Sequence, residues 1–143
     1  QQVSLASAQA AFNRLQAACR GSVTPRRALA FTAAQLKRIG FSRQKAGYLR
    51  ALSHAIVQRQ FNPDHLPGLP DEAVRATLVA VKGIGPWTAS YIAMRAFGDR
   101  DALPSGDLVL RQVTGSRTAR ELDTMSLPWR PWRSYAVMLL WSG

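Results

Sequence analysis

The sequence predicts an all-α protein made of many short helices, on three observations. Apolar residues recur near every 3.6 positions in several stretches. Ser, Thr and Asp stand ahead of those stretches and Gly follows them. No sustained period-2 alternation and no Asn-Gly hairpin signal appears.

The first helix is expected over residues 5–19, with Leu5, Ala8, Phe12, Leu15 and Cys19 near one face and Gly21 ending the run. Thr24-Pro25 supplies an N-cap and a first helical residue for a short helix through Phe31. Thr32 caps a third helix, closed by Gly40. Ser42 starts a longer one to about Gln60, with Tyr48, Leu49, Leu52, Ala55 and Ile56 as its buried stripe and Arg43, Lys45, Arg50 and Arg59 mainly elsewhere. Asn62-Pro63 begins one further turn. Pro70-Asp71-Glu72 opens a helix to about Ala80, its acids in the first turn where the macrodipole favours them. Pro86 to Phe97 is the next helix, and residues 98–106 form a Gly/Pro/Ser loop. Three more helices are expected over Asp107–Val113, Thr118–Met125 and Pro131–Trp141.

With 143 residues, 47% of them hydrophobic, the chain is long enough for one domain (1–143) with a real core. Its 19 Lys and Arg against 8 acids give a net charge of +11. Such an excess points to a polyanionic partner, most often nucleic acid, the alternative being a solvated surface. The single cysteine, Cys19, excludes an internal disulfide framework, cysteine-ligated zinc and an iron–sulfur cluster, and reads as a packing residue in a reducing compartment. No apolar run approaches the roughly 18–20 residues of a membrane span, so no membrane partner is expected. Residues 1–20 lack a signal-peptide pattern. Both ends look cut, so the chain is expected to be part of a longer polypeptide, truncated at its N-terminus.

The segment Leu78–Ala89 is the most informative. Gly83 and Gly85 permit a tight reversal with unusual backbone angles, Ile84 between them anchors it, and Pro86 suits the first helical position. The amides of Gly83, Gly85 and Thr88 then point out near a helix N-terminus, where geometry and dipole favour an anion such as a DNA phosphate. Such contacts position a strand without reading its sequence. An ordinary helix corner with a glycine-rich turn would look the same locally.

Val81-Lys82-Gly83-Ile84-Gly85-Pro86-Trp87-Thr88-Ala89 resembles the helix-hairpin-helix of the HhH-GPD DNA glycosylase superfamily, here spanning about 71–97. Leu103-Pro104-Ser105-Gly106-Asp107-Leu108 is similar to its "GPD" segment, which ends in the catalytic aspartate. Trp129-Arg130-Pro131-Trp132-Arg133-Ser134-Tyr135-Ala136, with Trp141 after it, resembles the C-terminal part of the alkylation-repair branch, the 3-methyladenine DNA glycosylase II (AlkA) type. The starting Gln-Gln-Val-Ser and Leu-Pro-Gly-Leu-Pro-Asp-Glu fit the same branch. The resemblance implies a compact multi-helix fold with an active-site cleft between helical subdomains. It also implies a monomer acting on double-stranded DNA with damaged bases, in a bacterial cytoplasm or a eukaryotic nucleus.

Cleaving an N-glycosidic bond builds positive charge on the sugar, which a carboxylate beside C1′ stabilises. Asp107 suits that role, and it suits equally an N-cap for the helix that follows it. The target base must leave the stack to be reached. Trp87 and Tyr91, four apart on one helix, share a face, and Trp141 from the last helix can close a pocket with them. Aromatic faces stack on any base and favour a cationic one. The same residues read without the resemblance are core aromatics, as Trp129 and Trp132 are expected to be.

In the bifunctional branch of the family a lysine at the Trp87 position attacks C1′. Tryptophan there, with Lys82 standing before the hairpin, implies a monofunctional glycosylase without lyase activity. The resemblance further implies Gln2 as the wedge that fills the gap left by a flipped base. It implies as well a structural Na+ or K+ on the backbone carbonyls of Val79, Val81 and Ile84, with no other cofactor required. His54 and His65 read as ordinary histidines. Asp99 and Asp101 read as solvated, or as ordering the loop before Asp107. Arg111, four residues after Asp107, is placed to pair with that carboxylate or to touch a phosphate. The expected activity is excision of alkylated purines of the 3-methyladenine and 7-methylguanine type. The alternatives are a non-catalytic helix-hairpin-helix DNA-binding module and a glycosylase for deaminated or oxidised bases.

Overall fold

The computed structural model describes residues 5–143, with the backbone alone at Leu5; Gln2 therefore lies outside the described residues. Among them the secondary structure is entirely helical, as expected: nine α-helices and two single 3-10 turns. The chain divides into two compact units, residues 1–63 with Val81–Gly83, and Asp64–Ala80 with Ile84–Gly143.

The first unit holds α1 (Leu5–Ala18), α2 (Pro25–Leu29), α3 (Ala33–Ile39) and α4 (Arg43–Val57). Thr24, Thr32 and Ser42 cap the last three as the sequence suggests, and Thr32 with Gln35 completes a reciprocal capping box. Gly40 ends α3 at φ 111°. Leu15, Cys19, Leu36 and Ala46 form the core, with Val23, Phe31, Ile39, Phe41 and Leu49 packed against it. Cys19 is thus a packing residue.

Two expectations fail in this unit. Phe12 is 48% exposed rather than part of the α1 stripe. The face of α4 is also rotated: Ala46 and Ser53 are its buried residues, Tyr48 is exposed, and Leu49, Leu52, Ala55 and Ile56 are half-buried. The cause is α2, which packs on α4 and ends at Leu29 instead of Phe31. Arg50 then donates to the carbonyls of Leu29 and Phe31, which the end of α2 leaves open. A hydrophobicity pattern counts arginine as outward-facing, so it misplaces this face.

The second unit holds a 3-10 turn (Pro63–His65, shared at its first residue), α5 (Asp71–Val79), α6 (Pro86–Ala96), α7 (Leu108–Thr114), α8 (Ala119–Met125), a second 3-10 turn (Leu127–Trp129) and α9 (Arg133–Ser142). Helix α5 packs on α6, and α7 on both α8 and α9. Val74, Leu78, Ala89, Ala93, Met94, Leu110, Leu122 and Val137 are the buried apolar residues that these helices contribute.

The loop from Gly98 to Gly106 is fixed by ion pairs as well as by the burial of Ala102 and Pro104. Asp99 is 2% exposed. Its carboxylate accepts from Arg75 of α5 and, at 2.8 Å, from the Asp101 amide. Asp101 takes Nε and Nη2 of Arg133, each at 2.7 Å, and pairs with Arg130 at 3.3 Å. The Ser134 hydroxyl donates to the carbonyls of Asp99 and Ala102, and its amide to that of Arg100. The two aspartates are therefore not solvated; they order the loop that leads to Asp107. The same contacts explain why α9 begins at Arg133 and not at Pro131. Trp132 is likewise no core residue: it is 50% exposed, with the Arg100 guanidinium 5.0 Å from its ring centroid.

Burial alone would push the Asp101 carboxyl up; the hydrogen bonds and charge of Arg133, then the charge of Arg130, outweigh it and hold the group below its ordinary value. A folded pKa below the unfolded one contributes stability that is present above the unfolded value and lost as pH falls through the folded one. Asp101→Asn should therefore cost about 2 kcal/mol at neutral pH. In urea unfolding followed against pH, the gap between variant and wild type should close on acidification.

Candidate active site

The turn between α5 and α6 is built from glycines with different duties. Gly83 sits at φ 96°, where a Cβ would also overlap the Tyr48 ring of the same unit. Gly85 is extended (φ −81°, ψ 172°), contrary to the expected unusual angles. What matters there is its missing side chain. As N-cap of α6 it offers no capping oxygen, so the first-turn amides stay open to an anion. Val81 is the buried residue of the turn, Ile84 is only half-buried, and Thr88 is half-buried one turn into α6.

Helix α6 carries Trp87 and Tyr91 on one face. Their rings stack with centroids 5.4 Å apart and 14° between planes. Trp141 of α9 tilts against Tyr91 at 5.9 Å and 45°. The three aromatic residues expected to share a pocket thus form one column, all within the second unit.

Asp107 lies beside that column and caps α7 as well. Its Oδ1 accepts the Leu110 amide at 2.9 Å and the Trp141 indole N–H at 3.2 Å. Its Oδ2 accepts the Trp87 indole N–H at 2.8 Å. Burial pushes this carboxyl up. The Leu110 amide, the Trp87 and Trp141 indoles and the Val109 amide together outweigh it, so the group sits below its ordinary value and is ionised at neutral pH. Of the two sequence readings, the N-cap is the one the geometry shows directly, and the half-buried carboxylate is free to serve the other as well. The indole bonds are the part that sequence did not disclose.

Arg111 does not pair with Asp107. Its Nη1 donates to the Arg117 carbonyl at 2.8 Å, while its Nε is buried without a partner. His54 and His65 are both exposed. Among the described residues no cluster of His, Cys, Asp or Glu is arranged to hold a metal, and no helix is long and apolar enough to cross a membrane. The carbonyls of Val79, Val81 and Ile84 accept no backbone hydrogen bond from the described residues beyond α5.

A glycine turn opening an uncapped helix, with one aspartate beside an aromatic column, defines a helix-hairpin-helix arrangement with a single carboxylate at its side. Comparison with known proteins agrees. Residues 1–121 match the HhH-GPD superfamily of base excision DNA repair proteins, and the chain belongs to that family. It is 32% identical over 118 residues to DNA-3-methyladenine glycosylase 2 of Escherichia coli, covering 82% of this chain and 41% of that one. It is 47% identical over 75 residues to a probable bifunctional transcriptional activator/DNA repair enzyme AlkA of Mycobacterium tuberculosis, covering 50% of this chain and 15% of that one. The chain spans less than half the length of these relatives. In fold it is similar to a 3-methyladenine DNA glycosylase of Schizosaccharomyces pombe in complex with abasic DNA, with a TM-score of 0.85 at 24% identity over 99% of this chain and 73% of that one.

The two glycines should respond differently to substitution. Gly83→Ala meets both a left-handed backbone and a ring, and should destabilise by about 2 kcal/mol or more. Gly85→Ala meets open space at a negative φ and should cost about 1 kcal/mol or less. Urea unfolding of the two variants side by side checks the contrast.

Proposed function

We propose that the protein is a monofunctional DNA glycosylase that excises alkylated purines. The observation that carries this reading is an ionised carboxylate, Asp107, held by neutral donors beside the column Trp87–Tyr91–Trp141. A purine methylated at N3 or N7 carries positive charge, which attracts aromatic faces. When its N-glycosidic bond breaks, the bonding pair stays on the base nitrogen and neutralises that charge. No general acid is then required, and one carboxylate suffices. Asp107 stabilises the positive sugar, and a water oxygen bonds to C1′ while its proton passes to solvent or to the carboxylate.

DNA containing a damaged base is the proposed partner. The net charge of +11 and the open amides at the start of α6 support a phosphate grip there, with Gly83, Gly85 and Thr88 alongside the strand. A Na+ or K+ on the carbonyls of Val79, Val81 and Ile84 would stiffen the turn and supply no chemistry. Gln2 is the proposed wedge on sequence grounds, and a monomer is the proposed active form.

Incubation with methylated DNA, followed by chromatography of the released bases, tests the reading directly. Asp107→Asn should lower excision by at least about 10²–10³-fold and leave binding to lesion DNA nearly unchanged. Excision at the wild-type rate would overturn the assignment. Salt-sensitive binding with no base released from any lesion would favour the non-catalytic module instead. Borohydride should trap no covalent protein–DNA complex, because tryptophan at position 87 cannot form the imine that a lysine would.

A further inference from the structure

The aromatic column does more than offer ring faces. Both of its tryptophans aim their N–H groups at the same carboxylate, one at each oxygen. A stacking platform needs no such aim, since a phenyl ring stacks on a base without any donor. An ionised carboxylate has about four acceptor directions. The Leu110 amide and the Trp141 indole meet Oδ1, the Trp87 indole meets Oδ2, and the Val109 amide also favours the ionised form.

We infer that Trp87 and Trp141 are positioning residues, whose indole N–H groups fix the orientation in which Asp107 meets the reacting sugar or its attacking water. This deepens the glycosylase reading and depends on it for the identity of the substrate. Three points support it. An indole N–H donates and never accepts, so it holds an ionised carboxylate in one orientation. It also carries no net charge, so the carboxylate keeps its full negative charge for the developing cation. No ion pair among the described residues involves Asp107, whereas Asp99 and Asp101, on the loop before it, are both paired with arginine. Finally, Tyr91 lies between the two indoles, stacked on Trp87 and tilted against Trp141, and so restrains both rings.

The test uses the four tryptophans of the chain as reporters. In two-dimensional 15N–1H spectra recorded against pH, the indole signals of Trp87 and Trp141 should shift with one common midpoint, below that of an ordinary aspartate. In Asp107→Asn they should no longer titrate, while the responses of Trp129 and Trp132 stay as in the wild type. In single-turnover excision, Trp87→Phe retains an aromatic face but loses the donor to Oδ2. Its rate should fall about 10- to 100-fold, with little change in affinity for lesion DNA. The acid limb of its pH profile should also move to higher pH, since removing a donor to the ionised form raises the carboxyl pKa.

Indole signals that stay flat until the protein unfolds, or an acid limb unmoved in Trp87→Phe, would overturn the inference while leaving the glycosylase reading intact if Asp107→Asn is inactive. Normal excision by Asp107→Asn would overturn both, whatever the indoles do. The spectra of wild type and Asp107→Asn decide the question even if Trp87→Phe fails to fold.

Discussion

The second unit holds one carboxylate ionised and oriented, with no cationic partner among the described residues. Three aspartates fall close together at positions 99, 101 and 107, and their partners separate them. Arginines take the first two, and their charge goes into holding a loop. The third receives an amide and two indoles, none of them charged. Cationic partners would hold Asp107 as firmly but would cancel the field that it exerts. Neutral donors fix it and leave the field in place, and a charge in a partly desolvated site acts more strongly than one in water.

Helix α6 links this carboxylate to the turn before it. Its first residues carry uncapped amides, and within one further turn its side chains carry the stacked pair Trp87 and Tyr91. Trp87 belongs to both features, with its backbone in the open first turn and its indole N–H on Asp107. A rigid helix therefore sets the separation between the uncapped amides and the carboxylate. The ion pairs of Asp99 and Asp101 set the other end of the same arrangement by fixing where the loop delivers α7. Preorganised geometry of this type supplies rate only when the supporting shell is stiff.

Much of this was legible in the sequence because it is local. Thr24, Thr32, Ser42 and Thr118 each cap the helix expected behind them, and Asp107 does so for α7. The pairing of Trp87 with Tyr91 follows from their spacing, and family membership was legible in the Gly-Ile-Gly turn combined with the later aspartate and the Trp-rich C-terminal segment. What stayed hidden depends on contacts distant along the chain. Arg133 reaches Asp101 across 32 positions, Arg75 reaches Asp99 across 24, and Trp141 reaches Asp107 across 34. Two acids in a loop, with arginines in the last segment, hinted at the first of these without specifying the pairs. Arg50 was misread for the opposite reason. Its pattern looks outward, yet the end of a neighbouring helix offers carbonyls that only a long donor can reach.

The geometry of the column also bears on what such a site can discriminate. Both indole N–H groups are committed to Asp107. The tryptophans therefore present ring faces, and not hydrogen-bonding edges, to anything placed beside them. Base edges carry identity, whereas ring faces respond mainly to polarisability and charge. A column of this kind sorts bases by how cationic and how weakly bonded they are, and only weakly by which atom bears the modification. Selection then falls largely on the bond-breaking step. On the proposed reading, a purine that is already a cation departs as a neutral molecule under the field of one carboxylate, and an undamaged purine lacks that advantage.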